Sequence, residues 1–451
     1  MPPTSFFATN TVDEEDFETE DLESILDDCL ALSMPQTHLR WHYRSRHESL
    51  IAFSNDHFYE NKLYTFPSTN DRASKVRLIH VDGIFDRGKT RQNHAEAVAI
   101  IEDLKKRCHD PELSKLSVGV VTFNINKKMM AVLTRIPNLL APDVPDGTDD
   151  TGNVELRKVG TIREFDFAIR DHQELGEMHD ILDIARGAKV AGTGFYYWKG
   201  KGAMLAQALY FYVQQFLVKR GFTMFMTPCV AKERTLYGTG YLPFFADQTY
   251  NLAGEDLALI GTSEQTLVGY HADDVLDGDK LPLCYTAFTP CFRTESGSYG
   301  KASRGIFRVH QFHKVEQIVF CKPEDSPKYH EFCLQNEEDL LKSLNIPYHV
   351  VNVCVGDLGA PGYKKYDIEA WYPTFKTYRE VTSNTNLTSF QSRRLNIRYK
   401  QGDERDFVHT ISATAATDRL IIAIMENYQQ KDGSIEIPEV LRPFTGFDKI
   451  G

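Results

Sequence analysis

The segment Phe292–Glu316 constrains this chain more than any other part of its sequence. It reads FRTESGSYGKASRGIFRVHQFHKVE, in which two strand-like runs flank a polar loop with three glycines. Glycines and short polar side chains between two such runs indicate a turn, so the segment predicts an antiparallel hairpin. Taken alone, such a hairpin is also compatible with a charged face that does nothing but meet solvent.

The side chains of the two predicted strands alternate with period two. Arg293 and Glu295 then share one face of the first strand, and Phe312, Lys314 and Glu316 share one face of the second. Such a face can hold a phosphate against a guanidinium, stack a planar ring on an aromatic side chain and present carboxylates to an amine. The pattern therefore allows a binding face as well as a solvated one.

Length and composition describe an ordinary globular protein. The chain has 451 residues, of which 42% are hydrophobic and 25% charged, and this is enough for two or three domains. No apolar run is as long as a membrane span, so we expect no membrane insertion. The eight cysteines include no Cys-x-x-Cys pair. That spacing favours reduced thiols in a cytoplasmic protein and argues against a cysteine-rich zinc site.

The net charge of −12 is unevenly distributed. Ten acidic side chains and no lysine or arginine occur before Arg40, so the rest of the chain is nearly neutral. We expect residues 1–38 to form an acidic, solvated and mobile segment. A nearly neutral body can still bind a nucleic acid through a local basic patch.

Residues 39–126 have the pattern of a partial α/β layer. Strands and a helix alternate there, predicted at Val76–Val81, Asn93–Lys106 and Val118–Phe123. The HYRS segment at 42–45 resembles the second RecA-like domain of superfamily 1 helicases. The chain contains no G-x-x-x-x-G-K-[ST] phosphate loop, so we expect no helicase activity and interpret Arg44 and Arg46 as surface or core-edge arginines.

The hairpin segment closely resembles motif 2 of class II aminoacyl-tRNA synthetases, in the form found in the seryl-tRNA synthetase family. Residues 129–451 resemble that family's catalytic domain throughout. The resemblance implies an α+β fold, with a central antiparallel sheet flanked by helices, preceded by the partial α/β region. It also implies a homodimer that uses ATP and Mg²⁺.

A predicted helix at Ala203–Arg220 is followed by Gly221 as a stop and by a strand that leads to Thr227 and Pro228. This order resembles motif 1 of the class, which builds the dimer interface. An ordinary amphipathic helix packed on its own sheet explains the local pattern equally well.

The segment Gly261–Glu264 matches the family's Thr-x-Glu serine-binding sequence. In isolation, Thr-Ser-Glu is a common helix N-cap. By resemblance, the serine pocket comprises Thr262, Ser263, Glu264, Glu316 and Thr414. Placing Thr414 there requires one deleted residue, because Ser412–Asp418 departs from the family's Asn-Gly-[Ser/Thr] approach.

The resemblance also implies an ATP site. Arg293 would hold the α-phosphate, and Arg419, at the start of an apolar helix that resembles motif 3, would hold the γ-phosphate. Glu295 would read the adenine amino group while Phe312 stacks on the ring. The remaining ATP-binding residues implied are Thr294, Glu380, Val381, Thr382 and Ser383, of which Glu380 and Ser383 would bind Mg²⁺ through hard oxygens.

The implied activity is ATP-dependent conversion of serine to seryl-adenylate, followed by transfer to tRNA(Ser). The family's long helical hairpin, which grips the tRNA, has no recognisable counterpart in the sequence, so we expect weak tRNA binding. Two alternatives remain open. One is a serine-activating enzyme with impaired tRNA charging or a non-tRNA acceptor, and the other is an inactive, synthetase-derived binding module.

Overall fold

A computed structural model of the chain describes residues 41–42, 49–58, 61–65, 79–82, 94–108, 136–295 and 305–451. The chain divides into two compact units, Met1–Asp82 and Gly83–Gly451. The predicted acidic segment 1–38, the arginines at 44 and 46 and the predicted strand Val118–Phe123 lie outside the described residues. The three predicted domain boundaries stay predictions.

The α-helices are, in chain order, α1 (Ser49–Phe58), α2 (His94–Cys108), α3 (His172–Met178), α4 (Ile184–Ala191), α5 (Gly200–Lys219), α6 (Glu233–Thr239), α7 (Glu264–Gly269), α8 (Ser326–Ser343), α9 (Val355–Leu358), α10 (Phe390–Leu395), α11 (Asp418–Asn427) and α12 (Arg442–Thr445). The strands are β1 (Trp41–His42), β2 (Tyr64–Thr65), β3 (Val154–Val159), β4 (Leu182–Asp183), β5 (Tyr197–Trp198), β6 (Thr223–Phe225), β7 (Val230–Ala231), β8 (Ala258–Leu259), β9 (Val275–Asp277), β10 (Leu283–Phe292), β11 (Gln311–Cys321), β12 (Tyr348–Asn352), β13 (Lys364–Tyr372), β14 (Thr377–Thr388), β15 (Arg398–Gln401), β16 (Glu404–Phe407), β17 (His409–Thr417), β18 (Ile435–Glu436) and β19 (Lys449–Ile450).

The described part of the first unit is small. Strands β1 and β2 pair in parallel, and α1 lies between them in the chain. Asn55 and Leu63 join the helix to the following segment, because Asn55 Nδ2 donates to the Leu63 carbonyl at 3.1 Å and the Leu63 N–H donates back at 3.0 Å. Residues 79–82, the described end of the predicted strand Val76–Val81, have no regular structure.

An eight-stranded sheet organises the second unit. Its strand order is β3-β12-β13-β14-β17-β11-β10-β6. Every neighbouring pair is antiparallel except β10 with β6. Helices α5, α8 and α11 bury their apolar residues with one face of this sheet, whereas α7 and α10 pack with the other. The predicted α+β architecture, with a central antiparallel sheet flanked by helices, is confirmed.

Helix α5 follows the predicted apolar spacing. Leu205, Leu209, Val213 and Leu217 recur every four residues and are all fully buried, and each stabilises the fold by about 1.5–3 kcal/mol. Gly221 follows with φ of 91°, which a residue with a side chain rarely adopts, and this explains the stop. The predicted helix Ala203–Arg220 is confirmed, as is the predicted helix Asn93–Lys106, which corresponds to α2.

None of the helices in the described part of the chain combines the length and apolarity that crossing a bilayer requires.

Candidate active site

A cavity of about 320 Å³ opens beside β11, β14 and β17. This volume is in the range of small-molecule sites. Most of the predicted site residues line it, namely Glu264, Arg293, Glu295, Phe312, Glu316, Glu380, Val381, Thr382, Ser383, Thr414 and Arg419. Thr262, Ser263 and Thr294 do not. The Thr294 hydroxyl donates instead to the Asp247 carbonyl at 2.5 Å.

The first arm of the hairpin ends earlier than predicted. Strand β10 stops at Phe292, so Arg293 and Glu295 follow the strand and do not share a face by alternation. Glu295 has φ of 50°, which turns the chain sharply at this point. Both residues nevertheless line the cavity. The Arg293 N–H donates to the His310 carbonyl at 3.0 Å and so holds the two arms together.

The second arm follows the predicted alternation. Phe312, Lys314 and Glu316 of β11 all line the cavity. The guanidinium carbon of Arg293 lies 5.2 Å from the centre of the Phe312 ring. A cation and an aromatic face are thus held side by side, which suits a planar ring joined to a phosphate.

Glu316 is the centre of a small anionic pocket. It is only 1% exposed, and its Oε1 accepts hydrogen bonds from Thr262 Oγ1 at 3.0 Å and from Thr414 Oγ1 at 3.2 Å. Lys314 forms an ion pair with the same carboxylate. Lys314 is not among the site residues predicted from the sequence, although its position on the same strand face is a signal for it.

A β-bulge brings Thr414 to Glu316. In the pairing of β11 with β17, Val315 lies opposite Ala416 and Glu316 lies opposite Thr414, so Ala415 is an extra residue. The bulge changes which side chains of β17 face the cavity after Thr414. Thr414 therefore lies beside Glu316 even though the segment departs from the family pattern, and its contact with serine stays a prediction.

Glu264 lies beside this pocket. Gln391 Nε2 donates to its Oε1 at 2.6 Å, and Tyr241 Oη donates to its Oε2 at 3.1 Å. Burial and the nearby charge of Glu316 raise the pKa of Glu264, and the Lys314 cation and the hydrogen bond from Gln391 only partly offset them. Tyr241 and Gln391 were missed by the sequence analysis, because a contact between residues so far apart in the chain leaves no local pattern.

The Thr-Ser-Glu segment begins a helix without a standard side-chain cap. Helix α7 starts at Glu264, and the Ser263 hydroxyl makes no capping hydrogen bond. The Glu264 N–H donates to Thr262 Oγ1 at 3.3 Å, while that hydroxyl itself donates to Glu316. Thr262 is thus a helix-start residue that holds the Glu316 carboxylate without lining the cavity itself.

A second bulge arranges the opposite side of the cavity. In the pairing of β13 with β14, Asp367 lies opposite Ser383 and Glu369 lies opposite Glu380, which leaves Val381 as the extra residue. Glu380 and Ser383 are three apart and would face opposite ways on a regular strand. The bulge places both on the cavity face.

The side chains between them turn to the core. Val381 is buried there, and Thr382 Oγ1 donates to Glu337 Oε2 at 3.3 Å. These two residues can therefore contact a ligand in the cavity only through their backbone atoms.

Arg419 lies against Glu380 at this side of the cavity. Its Nη1 donates to the Glu380 carbonyl at 3.0 Å and to Oε2 at 3.1 Å. Desolvation raises the pKa of Glu380, but the charges of Arg419 and Lys365 outweigh it and lower the pKa. The guanidinium carbons of Arg379 and Arg419 lie 5.4 Å and 5.1 Å from the centre of the Phe307 ring, although Arg379 does not line the cavity.

The oxygen donors of the cavity suit a metal ion that is also bound by ligand phosphates better than one bound by protein side chains alone. Among the residues that the structure describes, no group of three or more His, Cys, Asp or Glu side chains is arranged to hold a metal ion. Glu380 and Ser383 supply two hard oxygens on one face, and Mg²⁺ commonly takes one or two protein ligands and completes its shell with phosphates and water.

The fold and this site define a class II aminoacyl-tRNA synthetase. The family model described as the tRNA synthetase class II core domain (G, H, P, S and T) matches residues 248–428, which contain both arms of the hairpin and Arg419.

The similarity to curated relatives identifies the family within this class. A serine–tRNA ligase of Treponema denticola is 46% identical over 330 residues, which cover 72% of this chain and 78% of the relative. A serine–tRNA ligase of Rubrobacter xylanophilus is 42% identical over 391 residues, which cover 84% of this chain and 91% of the relative. The crystal structure of seryl-tRNA synthetase from Pyrococcus horikoshii complexed with ATP aligns with a TM-score of 0.70 and 40% identity, over 79% of this chain and 81% of that one. The chain belongs to the seryl-tRNA synthetase family.

The match to the Rubrobacter relative is longer than the segment 129–451, so it extends into residues 39–126, whose sequence resembles a helicase domain. The resemblance to a RecA-like helicase domain gains no support from these similarities.

Proposed function

We propose that this chain catalyses the serine–tRNA ligase reaction, in which ATP activates serine to seryl-adenylate and the seryl group passes to tRNA(Ser). The observation that carries the proposal is the union of two subsites in one cavity. A buried pocket around Glu316 adjoins a phosphate and ring site built by Arg293, Phe312 and Arg419. Relatives at this level of identity are serine–tRNA ligases.

The first step needs no protein nucleophile. A serine carboxylate oxygen attacks the α-phosphorus of ATP, the bond to the bridging oxygen breaks, and pyrophosphate leaves. The protein's task is to align the reactants and to neutralise charge on the phosphates. Arg293 holds the α-phosphate while Phe312 stacks on the adenine. Arg419 exchanges its partner Glu380 for the γ-phosphate.

Serine enters the pocket around Glu316. The carboxylates of Glu264 and Glu316 attract the ammonium, the Thr414 hydroxyl completes a small polar wall, and Thr262 holds the Glu316 carboxylate from behind that wall. A substrate that left these buried groups without hydrogen bonds would bind worse by about 1–3 kcal/mol for each group. The pocket therefore selects a small amino acid that has a hydroxyl.

Mg²⁺ would be held by Glu380 and Ser383 together with phosphate oxygens. The ion supplies positive charge at the phosphates. The charge of Lys365, which also lowers the pKa of Glu380, would keep this carboxylate ionised after Arg419 has turned to the phosphate.

We further propose a homodimer built on α5. Met204 and Phe211 project from this helix and are half exposed, and with Pro443 and Phe444 they form an apolar surface. Light scattering should give the mass of two chains, and Phe211→Asp should shift it towards one. We keep a cytoplasmic location as a prediction.

Serine-dependent exchange of labelled pyrophosphate into ATP tests the activity. The wild-type chain should support exchange, Arg293→Ala should lose nearly all of it, and Arg398→Ala should retain it, because Arg398 does not line the cavity. A folded wild-type sample without exchange would contradict the proposal. Calorimetry with ATP and a non-hydrolysable seryl-adenylate analogue separates the enzyme from an inactive binding module: tight binding of the analogue favours the enzyme, and no binding of either favours the module.

A further inference from the structure

Asp418 is a buried carboxylate at the first position of α11, directly before Arg419. Only 3% of it is exposed. Tyr210 Oη donates to its Oδ1 at 2.7 Å, Trp198 Nε1 donates to the same oxygen at 3.3 Å, and the His313 N–H donates to Oδ2 at 2.6 Å. Both carboxylate oxygens are therefore held.

The carboxylate remains charged inside the protein. Burial raises the pKa of Asp418, but the hydrogen bonds and charge of His313 and the hydrogen bond from Tyr210 outweigh burial and lower it. The N-terminus of α11 also favours a negative charge. Replacing a buried, paired charge by apolar groups is often neutral for stability, so stability alone does not explain a charge here.

The donors come from separate parts of the unit. Trp198 lies on β5, Tyr210 on α5 and His313 on β11, whereas Asp418 begins α11. Consecutive Cα atoms are only about 3.8 Å apart, so a restraint on Asp418 also restrains the backbone from which Arg419 extends into the cavity.

We infer that Asp418 is a positioning residue, which is held by Tyr210 and His313 and fixes the start of α11 so that Arg419 points to the outermost phosphate of ATP. This role rests on the proposed function, because it assigns the γ-phosphate to Arg419. It links α5, the helix of the proposed dimer surface, to the phosphate side of the active site.

The test uses Tyr210→Phe in the full-length chain. This substitution keeps the ring and removes only the hydroxyl that reaches Asp418. Tyr212→Phe is the matched control, because Tyr212 lies on the same helix and its hydroxyl donates to Ser343 Oγ at 2.8 Å. Calorimetry gives the affinities of each protein for ATP and for AMP.

Tyr210→Phe should weaken ATP binding about threefold to tenfold and leave AMP binding unchanged, since AMP lacks the outer phosphates. Asp418→Asn should have a larger effect of the same kind, because in either orientation its amide N–H₂ faces an N–H donor, that of His313 or that of Trp198. Tyr212→Phe should change neither affinity.

A lower ratio of ATP to AMP affinity in Tyr210→Phe or Asp418→Asn, absent from Tyr212→Phe, supports the positioning role. An unchanged ratio in both variants, or an equal loss of ATP and AMP binding, overturns it. Serine-dependent exchange by the wild-type protein is measured in parallel. Absence of exchange counts against the proposed function. The ratio of ATP to AMP affinity decides only whether Asp418 positions Arg419.

Discussion

Substituting His172 tests how the segment that leads into β11, the second arm of the hairpin, is held in place. Its side chain is 2% exposed, and its Nδ1 lies 3.1 Å from Glu426 Oε1 in α11, which is fully buried. Its Nε2 accepts a hydrogen bond from the Ile306 N–H at 3.1 Å, so the ring proton is on Nδ1 and points at the Glu426 carboxylate. One imidazole therefore joins α3 and α11 to the chain that leads into β11.

The effect of His172→Ala follows from these contacts. Losing a hydrogen bond to a carboxylate removes about 1.5–3 kcal/mol, and leaving the buried Ile306 N–H unpaired removes about 1–3 kcal/mol. The two losses together lower the free energy of unfolding by about 2.5–6 kcal/mol, and the space left by the ring adds to this loss. Affinity for ATP should fall as well, because Ile306 and the following Phe307 line the cavity.

Urea unfolding followed by tryptophan fluorescence measures the loss, since Trp198 and Trp371 both lie in the second unit. His179→Ala is the matched control. His179 follows the same helix α3 and is half-buried, and its Nε2 donates to the Gly433 carbonyl at 2.7 Å, away from the cavity. It should lose only about 0.5–1.5 kcal/mol. Equal losses in the two variants, with unchanged ATP affinity in both, would refute this reasoning.

Three other perturbations have definite expected outcomes. Glu264→Gln should raise the KM for serine in pyrophosphate exchange about tenfold or more and leave the KM for ATP unchanged, because it removes a negative charge from the serine pocket only; equal changes in both constants would contradict the assignment. Burial lowers the pKa of His330 from its ordinary value of 6.5 to about 4, so the folded state keeps the imidazole neutral while the unfolded chain protonates. Stability should be fully present above pH 6.5 and should fall as the pH drops towards 4. His330→Gln, which can keep the hydrogen bond to the Asn384 carbonyl, should flatten that fall in urea unfolding measured across this range; an equally steep fall would show that other groups cause it. Finally, charging of tRNA(Ser) should be weaker and more sensitive to salt than serine-dependent exchange in the same preparation, and equal efficiency at physiological salt would disprove the expected weak tRNA binding.

Local periodicity in the sequence was sufficient for the elements that carry the site. The spacing of Leu205, Leu209 and Val213 predicts α5, and the alternation of Phe312 and Glu316 predicts which face of β11 meets the ligand. These predictions succeed because each depends on a helix or strand that is regular over its whole length. The order of the motifs along the chain was likewise sufficient for the family and for eleven of the residues that line the cavity.

Irregular backbone limited the same reasoning. Strand β10 ends at Phe292, so the shared face predicted for Arg293 and Glu295 does not come from alternation. Tyr241 and Gln391, which hold Glu264, were not predicted, because side chains that meet only after folding leave no periodic signal.

The tertiary structure alone decided how the two sides of the cavity face each other. Glu380 and Ser383 are three residues apart, a spacing that places them on opposite faces of a regular strand, and the bulge at Val381 brings them to one face. The bulge at Ala415 likewise sets Thr414 opposite Glu316. A bulge arises from the hydrogen-bond register between a strand and its neighbour, so its position depends on residues of another strand and cannot be read from the strand's own sequence.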